Sequence, residues 1–183
     1  QNRNARFRYL FARLRNTAYA VVDQAAEELR HSDFTPLAFE LSFGDGKEAD
    51  IPSVVISEPD GELRVGGKVD RVDGWFKDGR IYLRVVDYKS GKKSFDLAAV
   101  RMGLDIQMLL YLFALQKTGA SRFGGEIEPA GVLYLPARDD ILSTERNIPP
   151  DRLQAEREKQ LRRSGLLLAE PQVLQAMEHE ALT

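Results

Sequence analysis

The apolar positions of the chain change period several times, and each change marks an element. From Arg6 to about Arg30, Phe7, Leu10, Phe11, Leu14, Ala18, Val21, Ala25 and Leu29 recur at intervals of three and four, which predicts an amphipathic helix. Leu37 to Phe43 alternates as a strand does, and Gly44-Asp45-Gly46 marks a turn. Residues 51–57 read as a short strand with Pro52 at its edge. Leu63 to Phe76 and Ile81 to Lys89 are two β-rich runs joined through Asp78-Gly79, a hairpin signal. Asp96 is placed to cap a helix running to about Lys117, with Gly119 to end it. Pro129 to Leu135 reads as a buried strand, Pro150 to Leu167 as a charge-rich helix, and Pro171 to about Glu180 as a last helix. That order predicts a mixed α/β core.

The hairpin carries the chemistry. A two-residue type I′ turn at Asp78-Gly79 pairs Lys77 with Arg80 and, counting back along both arms, sets Asp70 opposite Asp87. Lys89 shares the face of Asp87, two residues along. Nearer the turn the same face holds Val72, Phe76, Ile81, Leu83 and Val85, so that end is core. Two like charges opposed on an otherwise apolar face are unfavourable unless something compensates them. A hard divalent cation would do so; solvation at an edge, with Lys89 as a neutralising partner, is the other reading. A three-residue turn with a bulge after Lys77 would put the two acids on a diagonal instead. On the opposite face Asp73 meets Arg84 in a cross-strand ion pair.

Composition narrows the setting. The 183 residues suffice for one domain with a real core, and no run approaches the ~20 apolar residues a membrane span needs. There is no cysteine, which excludes disulfides and thiolate metal sites from this segment and fits a cytoplasmic setting. The net charge of −2 means that any attraction to nucleic acid comes from local patches or a partner. One such patch is Arg3, Arg6, Arg8, Arg13 and Arg15 in the first helix, with no acid before Asp23. It reads either as a solvated face or as a contact with DNA phosphates or a protein partner. The start, Gln1-Asn2-Arg3-Asn4, lacks an initiator Met and an apolar leader and suggests a fragment of a longer protein. Gly66-Gly67-Lys68-Val69 has neither the glycine spacing nor the Ser/Thr of a nucleotide-binding P-loop.

Three stretches together resemble a known family. Gly67-Lys68-Val69-Asp70-Arg71-Val72-Asp73, Asp87-Tyr88-Lys89-Ser90-Gly91 and Gln107-Met108-Leu109-Leu110-Tyr111 resemble the core motifs of RecB-like nucleases of the PD-(D/E)XK superfamily. The flanks Phe34-Thr35-Pro36 and Phe39-Glu40-Leu41-Ser42-Phe43-Gly44 look like the AddB components of bacterial AddAB (RexAB) helicase–nucleases. The resemblance implies a restriction-endonuclease-like core, a mixed sheet with a central hairpin flanked by helices, over residues 1–146, and a helical C-terminal extension over 147–183. It implies metal-dependent cutting of DNA phosphodiesters in break repair and recombination. Asp70, Asp87 and the backbone carbonyl of Tyr88 would hold Mg²⁺, with Mn²⁺ as a possible substitute, and Lys89 would be the catalytic lysine. An inactive DNA-binding or partner-docking module is the alternative. Lys92, Lys93 and Arg101 are candidates for DNA contact, or ordinary solvated cations. The implied partners are DNA and the AddA-type helicase–nuclease component.

Gln107 and Tyr111 carry their own argument. They are polar-tipped, lie four apart in an otherwise apolar run from Ile106 to Leu115, and so share one helix face; the Asp70, Asp87 and Lys89 site is the polar feature they should face. A core tyrosine bonded to a carbonyl is the alternative. Glu40 is either a further acid near the site or an exposed strand residue. The family departs from this chain in two respects. Its upstream histidine ligand has no counterpart, since His31 and His179 stand in other contexts. The four cysteines of an iron–sulfur cluster, expected in the full-length parent, do not occur in this segment.

Overall fold

The computed structural model describes residues 2–89, 95–104, 106–137, 149, 152 and 162–180. In chain order the elements are helix α1 (Asn2–Arg30), strands β1 (Thr35–Phe43), β2 (Val54–Glu58), β3 (Gly61–Val65), β4 (Gly67–Lys77) and β5 (Arg80–Lys89), helices α2 (Leu97–Arg101), α3 (Gln107–Thr118) and α4 (Ala120–Phe123), strands β6 (Glu126–Pro136) and β7 (Ser164–Leu167), and helix α5 (Pro171–Met177). Five strands form one mixed sheet in the order β1-β4-β5-β6-β7, while β2 and β3 pair apart from it. The β5–β6 pair is parallel, and a parallel pair needs a crossover connection; α2, α3 and α4 supply it.

The hairpin register follows from its turn. Asp78 (φ 50°) and Gly79 (φ 77°) are both left-handed, as type I′ demands, so Lys77 pairs Arg80 and the ladder runs back to Arg71 opposite Val86. Alternation then sorts the side chains. Val72, Ile81, Leu83 and Val85 face α3, packing with Tyr111, Leu112 and Leu115. Trp75 and Tyr82 face the other way, against Phe34, Val173 and Met177.

That second face also buries charge. Arg71, Asp73 and Arg84 are each 1% exposed or less. Glu28, near the end of α1, accepts from Arg84 Nη2 at 2.7 Å and from Arg71 Nη2 at 3.3 Å. Asp73 Oδ2 accepts from Arg84 Nε and Arg71 Nη2, both at 2.9 Å. The expected Asp73–Arg84 pair is therefore half of a four-residue cluster that ties α1 to the sheet. Arg163 reaches the same Glu28 at 3.6 Å and also pairs Glu178.

Several expectations need correction. The helix expected from Asp96 to Lys117 is two helices. Asp96 does cap the first, accepting from the Ala98 amide at 2.8 Å, but Gly103 (φ 80°) ends it. The Gly103 amide bonds Val100 O and the Leu104 amide bonds Ala99 O, the paired reversal of a Schellman stop. Gly119 is right-handed (φ −76°) and leads into α4, so the left-handed stop is Gly124 (φ 82°). Gly119 is instead a site of close packing, where a Cβ would lie 2.6 Å from both Leu115 O and Ile127 Cδ1. The single run expected from Leu63 to Phe76 breaks at Gly66. Residues 164–167 are not helical but add β7 to the central sheet beside β6, so the C-terminal segment is not wholly helical; 150, 151 and 153–161 lie outside the described residues. The apolar stripe of α1 is not buried in its first half, where Phe7, Leu10, Phe11 and Leu14 are all half exposed or more. No described helix is long and apolar enough to cross a membrane.

Candidate nuclease active site

The ladder between β4 and β5 stops just where the two acids stand. A regular antiparallel pair would continue from Arg71/Val86 to bonded residues 69 and 88. Instead the Tyr88 amide donates to Asp70 Oδ2 at 2.8 Å, so a side chain replaces the backbone partner. The reason lies in β4. Val69 and Val72 both enter the core beneath α3, although residues three apart on a regular strand face opposite ways. The β1–β4 ladder keeps its register there but skips Asp70, which has no ladder partner between the Phe39/Arg71 and Leu41/Val69 pairs. Across the pair, β1 does the same: Ala38 and Leu41 both pack on that core, and between them Glu40 adopts φ 51°. A left-handed glutamate inside a strand is strained, and it lies between the Phe39/Arg71 and Leu41/Val69 pairs, beside Asp70.

Asp87 and Lys89 share a face, as alternation requires, and Lys89 Nζ lies 2.7 Å from Asp87 Oδ2. The ammonium also sits 5.4 Å from the centre of the Tyr134 ring, on the neighbouring strand. The Lys89 carbonyl accepts from the Ala137 amide at 2.9 Å, on the β6 side. Because direction alternates along a strand, the N–H and C=O of Tyr88 point the other way, into the gap beside β4. The Tyr88 side chain turns to the charged face, where Arg71 Nη1 donates to its hydroxyl at 2.7 Å. Burial raises the pKa of that phenol, and Arg71 only partly opposes the rise. Burial alone would lower the pKa of Arg71, but Asp73 and Glu28 more than offset it, so the guanidinium is held firmly charged.

The donor set fits a hard cation. Asp87 Oδ2 is buried, and its partner among the described residues is the Lys89 ammonium at 2.7 Å. A buried carboxylate oxygen held by one ammonium, at the end of a ladder whose other strand carries Asp70, is of the kind of oxygen ligand that Mg²⁺ or Mn²⁺ takes. Among the described residues no third carboxylate or imidazole completes a cluster with them. His31 contacts Glu27 at 3.1 Å and His179 contacts Asp33 at 2.9 Å, so neither belongs to the site. Glu40 is exposed and holds Lys68 at 3.0 Å.

The remaining candidates stand further out. The Tyr111 hydroxyl donates to Gly66 O at 3.1 Å and accepts from Gln107 Nε2 at 2.6 Å. This pair grips the start of β4, four residues ahead of Asp70, rather than the carboxylates. Tyr111 is fully buried and stacks on Phe43 at 4.9 Å, while Gln107 is exposed. Arg101 is an exposed residue at the end of α2; Lys92 and Lys93 lie outside the described residues. Sequence reasoning misses the contributions of Arg71 and Glu28. Arg71 is visible beside Asp70, but nothing in the spacing of α1 distinguishes Glu28 from its solvated neighbours.

Comparison with known proteins shows the family. The family model described as the PD-(D/E)XK nuclease superfamily matches residues 1–181. The B subunit of an ATP-dependent helicase/deoxyribonuclease from Symbiobacterium thermophilum is 37% identical over 96% of this chain. Proteins of the same name from Clostridium acetobutylicum and Pelotomaculum thermopropionicum are 35% and 38% identical over 98% and 95% of it. The chain spans about 15% of the length of each of these relatives. The mixed sheet flanked by helices is of the restriction-endonuclease-like kind, and the chain belongs to the PD-(D/E)XK nuclease superfamily.

Proposed function

We propose that this chain is the DNA-cutting domain of an AddB-type helicase–nuclease protein, hydrolysing phosphodiesters with a divalent cation, Mg²⁺ in the first instance, and acting in a cytoplasmic complex with an AddA-type partner. The observation that supports the reading is the end of the β4–β5 ladder, where Asp70 takes the Tyr88 amide and the Lys89 ammonium holds the buried Asp87 oxygen. Superfamily members generally use divalent metal ions. In this reading Asp70, Asp87 and the Tyr88 carbonyl hold the cation. When bound, such an ion polarises the phosphate and lowers the pKa of a water. Lys89, the catalytic residue, orients that water and offsets charge developing on the phosphate oxygens. Asp70 is already fixed by the Tyr88 amide, so it presents its other oxygen without reorganising. Arg101, with Lys92 and Lys93, would follow the DNA backbone, and the exposed arginines of α1 support contact with DNA or the partner protein. Gln107 and Tyr111 support the site by holding the start of β4.

The test is calorimetric titration of Mg²⁺ and Mn²⁺ into the wild type and Asp70→Ala, followed by a nicking assay on the full-length protein with Lys89→Ala. Binding that Asp70→Ala abolishes, and cutting that Lys89→Ala abolishes with the fold intact, are the expected results. Cation binding indifferent to Asp70, or cutting that survives Lys89→Ala, would overturn the proposal.

A further inference from the structure

We infer that Tyr88 and Arg71 are positioning residues for the two carboxylates, holding the gap between β4 and β5 at the width a cation needs; this rests on the nuclease reading above. Asp70 and Arg71 are neighbours in β4, and they seize Tyr88 at its two ends. Asp70 Oδ2 takes the Tyr88 amide at 2.8 Å. Arg71 Nη1 takes the Tyr88 hydroxyl at 2.7 Å, with the guanidinium 5.7 Å from the ring centre. The residue so held lies between Asp87 and Lys89.

The clamp has a physical necessity. Backbone pairing with β4 ends at Arg71/Val86, so residues 87–89 keep a backbone partner only on the β6 side. Continued pairing with β4 would steady them but would close the gap. Side-chain bonds to Tyr88 give the restraint while leaving the space. Arg71 is rigid enough to serve: its guanidinium is 1% exposed and lies within 2.9 Å of both Asp73 oxygens. Glu28 bonds both Arg71 and Arg84, so the end of α1 braces the clamp from outside. Displacing the Tyr88 ring would leave a buried guanidinium N–H unpaired, which is costly.

Tyr88→Phe isolates the hydroxyl while keeping the ring and the backbone. In the full-length protein, the Mn²⁺ concentration for half-maximal cutting is expected to rise about 10-fold, the low end of what losing a supporting hydrogen bond costs a metal site. Saturating Mn²⁺ restores the rate, and calorimetry without DNA shows the same weakening. Tyr82→Phe, on the same strand and face but nearer the turn, leaves both readouts at wild-type values. A Tyr88→Phe protein with a wild-type midpoint, or with a loss that saturating metal does not restore, overturns the inference. Asp70→Ala separates the two levels. If it leaves Mn²⁺ binding intact, the nuclease reading fails; if it abolishes binding while Tyr88→Phe binds normally, only the clamp fails.

Discussion

Lys89 Nζ stands 2.7 Å from Asp87 Oδ2, two residues along one strand face, with the lysine 38% and the aspartate 19% exposed. The amine that the proposed chemistry needs is therefore held by an oxygen that the proposed cation would also take. The two roles are separable by mutation. Lys89→Ala takes the ammonium away from the Asp87 oxygen, so cation affinity should be kept or rise. Cutting should fall by roughly 10²–10³-fold, the loss typical of one preorganised electrostatic group. Calorimetry and a nicking assay on the same preparation check this; a joint fall in affinity and cutting would show that Lys89 serves folding or metal binding instead.

The Asp73–Arg84 pair makes a second prediction, about stability. Both side chains are fully buried, and with Arg71 and Glu28 they share four charges in one contact network. Removing one member strands its partners. Arg84→Ala should cost about 3–5 kcal/mol, the usual penalty for breaking a buried pair. Asp73→Leu combined with Arg84→Met removes both charges and should cost clearly less than the sum of the single changes, because neither is left uncompensated. Urea unfolding of the 183-residue chain measures all three; additive losses would mean the cluster is not energetically coupled.

How much of this is legible from residues alone divides along a physical line. The turn at Asp78-Gly79 demands left-handed backbone, and that local requirement sets the register of the whole hairpin. The register in turn puts Asp70 and Asp87 just past the last pair of the ladder, Arg71/Val86, and Asp87 and Lys89 on one face. Gly103 carries a readable stop signal, masked by an apolar period that continues beyond it. Other features depend on distant partners. Ser164–Leu167 is a strand because β6 offers an edge for it, and a four-residue pairing leaves no periodic trace. The break in alternation around Asp70 shows only when Val69 and Val72 are seen in one core. The burial of Arg71 requires Glu28 from more than forty residues away, and no local pattern marks that contact.

Gly67 yields a third prediction. Its φ of 152° disfavours any side chain, and a Cβ there would lie 1.7 Å from the Tyr111 hydroxyl. Gly67→Ala should therefore cost about 1–3 kcal/mol from backbone strain alone, and more from pushing Tyr111 off Gly66 O. Tyr111→Phe removes the clashing oxygen. The double variant should lose less than the two single variants together, and a double-mutant cycle from urea midpoints reads the difference. A strictly additive cycle would mean that Tyr111 yields freely and does not hold the start of β4.

The last prediction concerns acid. Asp50 closes the loop after β1. The Ser42 amide and hydroxyl both donate to its Oδ2, at 3.1 and 2.9 Å, and the Asp50 amide donates back to the Ser42 hydroxyl at 3.1 Å. Arg122 lies 3.2 Å from its other oxygen, tying the loop to α4. These donors hold the carboxyl below the ordinary aspartate range, the Ser42 amide and then its hydroxyl contributing most and Arg122 less. A depressed folded value means that the unfolded chain takes up the proton first as pH falls. The stability Asp50 contributes is thus fully present above the ordinary aspartate pKa and is lost as pH drops through the depressed one. Asp50→Asn should be less stable than wild type at neutral pH, and the two unfolding curves should draw together as the pH falls below the ordinary aspartate range. Other shifted acids, such as Asp45 and Glu27, are common to both proteins and cancel in the comparison. A stability difference constant from neutral pH into acid would show that the Asp50 contacts do not depend on its charge.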